Sequence, residues 1–358
     1  MKFVFRTAIA VFSIFLLVGG IATAQDLQQQ LSKLGREAAI GYTAPILSGW
    51  GNDLNSGIYY SADLHNVLGF DIDVSLATSK ITDADKKYVL TLPASMTVKA
   101  SDLGLNGYAP NTTVTLSSSG TNPSYPASVI ANTAVGNKDK VPIKTIAGGT
   151  GIIKNGTTVL GADSIPANLT ILSLPGGYDL GSVGIGGVPL VVPQLTLGLP
   201  FGLEVMGRWI PPIKTDQGKF TNMGFGLRYD IDQWFPFCPV DIAIHFMTQK
   251  MTFKSSTDQN IFTCKATAYG IEISKKLFIL TLYSGFQLES ASLTLSDYTG
   301  YNFETGQSIF VQGFEINGKD KSRFTVGARL LLFFINLHAD YSFSANNVLT
   351  LGAGITIR

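Results

Sequence analysis

The sequence predicts an all-β fold: a transmembrane antiparallel β-barrel of about 12–14 strands with a short N-terminal helical segment. Three observations support this prediction: an N-terminal leader, few charged residues, and segments of the C-terminal half along which apolar and polar residues alternate. Charged residues make up 14% of the 358 residues, whereas a typical soluble domain has about 25%. A soluble fold of this length would carry more charge, so the composition favours a chain whose outer face contacts lipid.

The N-terminus has the pattern of a secretory signal peptide. Lys2 and Arg6 form a basic region, an apolar run follows, and a small-residue cleavage site ends at Ala24. We therefore expect residues 1–24 to be removed and the mature chain to start at Gln25. The alternative is an uncleaved membrane anchor, but the apolar run is shorter than the about 20 residues that a spanning helix needs.

Residues 25–61 are predicted to form a separate helical, plug-like segment. Apolar residues recur at the spacing of one helix face over 27–39. They are Leu27, Leu31, Leu34, Ala38 and Ala39. The predicted helix ends where a glycine-rich stretch, 41–57, begins. Two interpretations stay open: an exposed periplasmic helix, or a segment lodged in or under the barrel.

Residues 62–358 are predicted to form the barrel, and alternation is the main evidence. Successive side chains of a strand point to opposite faces of its sheet. In 223–231, apolar residues alternate with Gly224, Gly226, Arg228 and Asp230. The same pattern occurs at 70–76, 241–249, 324–330 and 349–357. Each such segment has one apolar face and one small or polar face.

A soluble β-sandwich could show this alternation with the apolar face turned inward. The polar faces, however, are rich in Gly, Ala, Ser and Thr with charges of both signs, which is typical of a barrel lumen. Aromatic residues gather at segment ends, where girdles at the two membrane interfaces would lie. They are Trp209, Trp234, Phe235, Phe237 and Tyr298. These features favour a barrel surrounded by outer-membrane lipid.

The lengths of the connections predict an orientation, because outer-membrane barrels have short periplasmic turns and longer outer loops. With the last strand running down to Arg358, the longest connections, 80–187 and 292–322, both fall outside the cell. The first is poor in charge and is predicted to be long extracellular loops with a few strands, at 88–92 and 167–172. This register counts about ten strands, and two or four more from the long segments give the predicted 12–14.

Charged residues and histidines on the small or polar face of each alternating segment are predicted to face the lumen. They are Asp71, Asp73, Glu204, Arg208, Arg228, Asp230, Asp241, His245, Glu272, Glu289, Arg329, His338 and Asp340. A charge on the lipid face would cost about 2–4 kcal/mol at the midplane, so their common parity supports the barrel. These charges could brace the wall as ion pairs or line a channel, and bracing is the favoured interpretation.

The two cysteines, Cys238 and Cys264, are predicted not to form a disulfide. The register puts them near opposite ends of neighbouring strands, roughly 30 Å apart at about 3.3 Å per residue. A disulfide requires Cα atoms within about 7 Å of each other.

Catalytic, metal-binding and cofactor-binding motifs are missing from the sequence. It has no H-E-x-x-H, C-x-x-C, P-loop or G-x-S-x-G pattern, so no enzymatic activity, metal or cofactor is predicted. His245 and His338 each share a face with an aspartate, which beside a serine would suggest a hydrolase. A histidine in a polar lumen network is the favoured interpretation. The net charge of +1 gives no electrostatic reason to expect nucleic acid as a partner.

Several motifs resemble a group of uncharacterised outer-membrane barrels from Bacteroidota-type bacteria. They are NSGIYYSADLH at 55–65, LGFDID at 68–73, PQLTLGLP at 193–200, EVMGRW at 204–209 and GLRYDIDQW at 226–234. The resemblance covers most of the chain outside 80–187 and implies a barrel fold. The layout is more distantly similar to the long-chain fatty-acid and hydrocarbon transporters. That similarity implies an N-terminal hatch at 25–61, a 14-stranded barrel and apolar substrates.

The barrel and the plug-like segment together predict a passive channel or transporter for small molecules, hydrophobic ones included. The long outer segment supports an alternative, a structural or adhesive surface barrel without transport. An outer-membrane hydrolase is the least favoured interpretation. The expected partners are outer-membrane lipid and a small hydrophobic substrate, while the oligomeric state stays open.

Overall fold

The computed structural model describes residues 35–180, 186–215, 218–235, 237–255, 258–301 and 307–357. The expected leader and its cleavage site between Ala24 and Gln25 lie outside these residues. Within the described ranges, no helix is both long enough and apolar enough to cross a membrane.

Helix α1 spans Arg36–Leu54. In chain order, the strands are β1 Phe70–Lys80, β2 Lys87–Thr91, β3 Ser95–Lys99, β4 Thr112–Ser117, β5 Ser128–Asn132, β6 Val141–Lys144, β7 Thr150–Asn155, β8 Thr158–Ser164, β9 Thr170–Leu174, β10 Gly187–Leu199, β11 Leu203–Thr215, β12 Gly218–Asp230, β13 Asp241–Lys254, β14 Asn260–Leu277, β15 Leu280–Leu295, β16 Tyr298–Tyr301, β17 Ser308–Val311, β18 Phe314–Asn317, β19 Ser322–Leu332, β20 Ile335–Phe343 and β21 Val348–Ile357. Short 3-10 helices lie at Asp83–Lys86, Ala100–Leu103, Pro200–Gly202 and Asp232–Trp234.

Ten of these strands close into one antiparallel barrel. Around the ring the order is β1, β10, β11, β12, β13, β14, β15, β19, β20 and β21, and β21 pairs with β1 to complete it. The predicted all-β transmembrane barrel is therefore confirmed. The predicted count of 12–14 strands is wrong, because the extra strands of the long connections pair mainly with one another and do not enter the ring. They form small sheets of β2 with β5, β6 with β9, β16 with β17, and β3, β4, β7 and β8 together.

Alternation along each barrel strand separates a polar interior from an apolar exterior. In β1, Asp71, Asp73 and Ser75 are buried, whereas Ile72 is 53% exposed and Val74 is 40% exposed. Since no charged side chain interrupts the outer face of this strand between Phe70 and Ser79, it suits contact with lipid chains.

The two ends of the barrel differ in the length of their connections. The connections at 200–202, 231–240, 278–279 and 333–334 lie at one end, called the short-turn end. The connections at 81–186 and 296–321 lie at the other, called the long-loop end. The two longest connections therefore lie at the same end, as the sequence predicts, although the connections at 255–259 and 344–347 at that end are shorter than the one at 231–240.

Aromatic side chains are exposed around the short-turn end. They are Phe201, Trp234, Phe235, Phe237, Phe278 and Phe333. Trp209, also predicted for a girdle, projects from the outer face of β11 with 59% exposure. Tyr298 differs from the prediction, because it lies in β16 and packs partly buried against the core at the long-loop end.

Helix α1 covers 36–54, so the prediction of a helix over 27–39 is wrong at its C-terminal end, while residues 27–34 of that prediction lie outside the described residues. The glycine-rich stretch 41–57 mostly continues the helix, because its glycines let α1 approach the barrel closely. A Cβ at Gly49 would lie only 2.8 Å from Cβ of Val188 in β10. These glycines therefore serve packing, and they do not break the helix.

Residues 81–180 form a β-rich unit, called the outer domain because it lies beyond the long-loop end of the barrel, and the prediction of loops with a few strands is wrong. The two predicted strands correspond to β2 and β9, and β3 to β8 lie between them. In β4, threonines alternate with Val114 and Leu116, which are completely buried. The core of this domain is continuous with α1. Single apolar residues spaced among Ser and Thr are enough to build this core. The polar composition of the segment therefore did not predict a folded domain.

Candidate functional site in the barrel lumen

The lumen of the barrel is occupied by the chain's own N-terminal segment. After α1, residues 55–65, called the lumen segment, run inside the barrel from the long-loop end toward the short-turn end. Tyr59 and Tyr60 are buried there. At the far end of the segment, His65 Nε2 lies 2.8 Å from Thr356 Oγ1 of β21. Residues 55–61, the last part of the region predicted to be plug-like, thus lie inside the barrel.

Arg208 of β11 holds the start of the lumen segment through main-chain carbonyls. Its guanidinium donates to the carbonyl oxygens of Leu54 (2.6 Å), Ser56 (2.8 Å) and Gly57 (2.7 Å). The side chain is 1% exposed, and no carboxylate of the described residues lies within 4.0 Å of it. The C-terminus of α1 carries the negative end of the helix dipole, so carbonyls take the place of a counter-ion for this buried cation.

Other wall side chains donate to neighbouring carbonyls of the same stretch. Arg323 donates to Asn52 O at 3.0 Å, Gln287 to Asn55 O at 3.0 Å, and Gln194 to Ile58 O at 3.2 Å. Further wall donors are Gln249, which binds Leu54 O, and Arg228, which binds Ser61 O. The wall therefore holds this stretch mainly through hydrogen bonds to its main-chain carbonyls.

An ion-pair network braces the short-turn half of the lumen. Arg228 contacts Glu204 at 2.5 Å and Glu272 at 2.7 Å. His245 Nδ1 contacts the other oxygen of Glu272, and His65 Nδ1 lies 2.7 Å from Glu204. These charges are shielded from water, so each depends on its partners for compensation. Through His65 the network also ties the lumen segment to the wall.

Tyr60 of the lumen segment packs against two side chains of the wall, the imidazole ring of His338 and the guanidinium of Arg329. Its ring stacks on His338 with centroids 4.5 Å apart, and the Arg329 guanidinium lies 5.1 Å from its centroid. His338 Nε2 is 3.2 Å from Asp73 Oδ1. Cation–π attraction of this kind strengthens when the partners are removed from water.

The structure places most of the predicted lumen residues in the barrel interior. The buried ones are Asp71, Asp73, Glu204, Arg208, Arg228, His245, Glu272, Glu289, Arg329, His338 and Asp340. Asp230 and Asp241 are half-buried at the short-turn ends of β12 and β13. Sequence reasoning missed the wall residues Gln194, Gln249, Gln287 and Arg323, and the segment residue His65. Arg323 lies on the same face of its strand as Arg329. It would have been found if the predicted strand at 324–330 had begun at residue 322, as β19 does.

Each of the three histidines lies within 4 Å of a carboxylate. Among the described residues, His245 and His338 contact carboxylates, and no serine hydroxyl is hydrogen-bonded to either ring. His65 lies between Thr356 and Glu204, an order of groups seen in hydrolases. Thr356, however, is buried at 3% exposure, and Glu204 is shared with an arginine. This arrangement is suited to fixing the lumen segment.

Cys238 and Cys264 are free thiols. The first lies in the 231–240 connection at the short-turn end, and the second lies toward the long-loop end of β14. Within the described part of the chain, no group of three or more His, Cys, Asp or Glu side chains could hold a metal ion.

Comparison with known proteins identifies a family without an assigned activity. The family described as "Family of unknown function (DUF6588)" matches this chain over residues 1–357. No curated protein matches the chain.

The chain is similar to solved outer-membrane proteins at very low identity. In-vitro folded OmpT of Vibrio cholerae, in its trimer form, is 10% identical with a TM-score of 0.25, over 80% of this chain and 99% of that one. The β domain of the Bordetella autotransporter BrkA is 10% identical with a TM-score of 0.28, over 81% and 99%. OccK5 (OpdH) of Pseudomonas aeruginosa is 9% identical with a TM-score of 0.20, over 82% and 100%. Such low scores carry no argument, so the fold rests on the strand pairing.

Proposed function

Given that the chain belongs to DUF6588, a family of unknown function, we propose that it is an outer-membrane barrel closed by its own N-terminal segment. In this proposal it presents the outer domain at the cell surface as a structural or adhesive unit. The short turns would face the periplasm, and the signal peptide expected at 1–24 would direct export.

One observation carries the proposal: the donors of the lumen wall are used by the chain itself. Carbonyls of seven residues between 52 and 61 accept hydrogen bonds from wall side chains. A permanently open channel would instead leave such donors facing water and solutes. The filled lumen therefore favours a closed barrel over the passive channel expected from sequence.

Conductance tests the closed state. Full-length protein in planar lipid bilayers is expected to give no discrete conductance steps above the lipid background. Stable open-channel steps from the wild-type protein would contradict the proposal.

Labelling of intact cells tests the orientation. Ser101→Cys lies in the outer domain and is exposed, whereas Phe278→Cys lies at the tip of a short turn, where the native side chain is 90% exposed. With the native free thiol removed by Cys238→Ser, a membrane-impermeant maleimide is expected to label the first variant in intact cells, and the second only after the cells are broken. The reverse labelling pattern would show that the barrel has the opposite orientation in the membrane.

A second candidate function is gated passage of small molecules, hydrophobic ones included. It is supported by the way the lumen segment is held, since hydrogen bonds and ion pairs to the wall can be exchanged for water. If passage is gated, Arg208→Met combined with Arg323→Met should raise solute entry into proteoliposomes several-fold over wild type. Unchanged entry in this double variant would leave only the structural or adhesive function.

A further inference from the structure

Four lysines cluster on the outer wall near the long-loop end, and we call them the lysine patch. Strand pairing sets Lys219 opposite Lys254, and Lys250 opposite Lys265. Lys250 and Lys265 are exposed, and the other two are half-exposed. All four share the parity of the outward apolar residues on their own strands, so they project from the barrel toward its surroundings.

The protein supplies almost no negative charge to balance the lysine patch. Like charges directly opposite each other destabilise a β-sheet, and here two such pairs lie on three adjacent strands. Among the described residues, the only carboxylate within 4.0 Å of any of the four amines is that of Asp258, at 3.9 Å from Lys219 Nζ. The carboxylate of Asp258 belongs to a loop side chain that is 74% exposed. An external anion would relieve this repulsion.

The position of the patch along the barrel matches the depth of lipid headgroups. On the outer face of β14, Lys265 and Lys275 bracket Tyr269, Ile271 and Ile273. Ten residues at about 3.4 Å each, on a strand tilted by about 40°, rise roughly 26 Å. An outer-membrane barrel has an apolar band about 25 Å tall. Lysine stems also let the amines reach from the edge of that band into the headgroup layer.

The surface around the lysines suits a phosphorylated lipid. Between the two lysine pairs, Thr252 lies opposite Thr263 on the same outward parity and adds hydroxyl donors. Below the patch, Phe246 lies opposite Tyr269, and both side chains are more than 40% exposed. Cationic and hydroxyl groups thus lie directly above an aromatic surface against which acyl chains can pack.

We propose that the lysine patch binds the phosphate of an anionic lipid headgroup in the leaflet around the long-loop end. Free phosphate offers the same oxygen acceptors, but it would make no use of the aromatic surface below. The proposal does not depend on whether the lumen is closed, so it can fail or succeed separately from the proposed function.

The test compares full-length wild type with Lys250→Gln/Lys265→Gln in zwitterionic detergent. Phosphatidylglycerol, phosphatidylcholine or inorganic phosphate is added, and binding is followed by native mass spectrometry and by the midpoint of thermal unfolding. The control, Lys138→Gln/Lys140→Gln, removes the same charge from exposed positions of the outer domain. Wild type and control are expected to bind phosphatidylglycerol at least tenfold more tightly than the patch variant.

The sign of the stability change gives a second readout. Without anionic lipid, the patch variant should unfold at the same temperature as wild type or higher, because like-charge repulsion is removed. With phosphatidylglycerol the order should reverse. Equal binding of phosphatidylglycerol by the patch variant would overturn the proposal. Equal protection by inorganic phosphate would also overturn it and assign the patch to a soluble anion.

Discussion

At the scale of single residues, Arg208 binds more carbonyls of the stretch 52–61 than any other described side chain of the wall. Helix α1 has no basic residue in its last turn, so the barrel supplies the cation that the helix C-terminus favours. A side chain donating to three carbonyls also fixes the direction in which the chain leaves the helix.

Replacing Arg208 by methionine should weaken the anchoring of the lumen segment. The carbonyls of Ser56 and Gly57 would lose their wall donor, while Leu54 keeps Gln249. Buried acceptors without donors predict a loss of about 2–4 kcal/mol in the free energy of unfolding. Urea titration in lipid vesicles measures it, with exposed Lys276→Met as control. A loss no greater than that of the control would show that Arg208 does not hold the segment.

Asp53, which lies in α1 and outside the barrel strands, is expected to make the free energy of unfolding depend on pH. Burial raises the pKa of its carboxyl well above the usual range, despite a 2.6 Å hydrogen bond from Ser79 Oγ. A raised folded-state pKa stabilises the fold at low pH, and this contribution is lost as pH rises from about 4. The unfolding free energy of wild type minus that of Asp53→Asn should therefore fall between pH 4 and pH 7. A difference that stays constant over this range would contradict the assignment.

At the scale of elements, α1 shows where sequence reasoning fails. Glycines within a helical pattern usually weaken the helix, so 41–57 was predicted to end it. What the sequence cannot show is that barrel strands of the same chain pass close to where the Cβ atoms would be. Gly51 illustrates this, since a Cβ there would lie 2.7 Å from Cβ of Ala291 in β15.

Gly49→Ala tests the close approach directly. By helix propensity alone it would stabilise α1 by about 1 kcal/mol, but the new Cβ would lie 2.8 Å from Val188 Cβ. Overpacking of this kind typically costs about 1–3 kcal/mol, so the thermal midpoint should fall. The neighbouring Ser48→Ala adds no volume and should leave the midpoint unchanged or raise it. Equal gains in both variants would show that the helix is not pressed against β10.

At the scale of the whole molecule, the barrel and a plug-like N-terminal segment could be predicted, but the path of that segment through the lumen could not. Strand parity is a local property, so the positions of residues such as Asp73 and Glu272 followed from alternation. The path of residues 55–65 depends on backbone carbonyls, which every residue has and which leave no pattern in the sequence. The strand number was overestimated because strands in 81–186 look like barrel strands and close their own small sheets.

The central claim, that the N-terminal segment fills the lumen, is tested most directly by a designed disulfide. A Cβ at Gly57 would lie 3.5 Å from Cβ of Ser75 in β1, within the range that disulfides require. The φ of +59° at Gly57 costs a cysteine there about 1–2 kcal/mol, which an oxidative cross-link tolerates. Gly57→Cys/Ser75→Cys in membranes should therefore form an intramolecular disulfide, identified by peptide mass spectrometry without reduction, whereas Gly57→Cys/Ser101→Cys should not. Full alkylation of positions 57 and 75 under oxidising conditions would contradict a segment seated in the barrel.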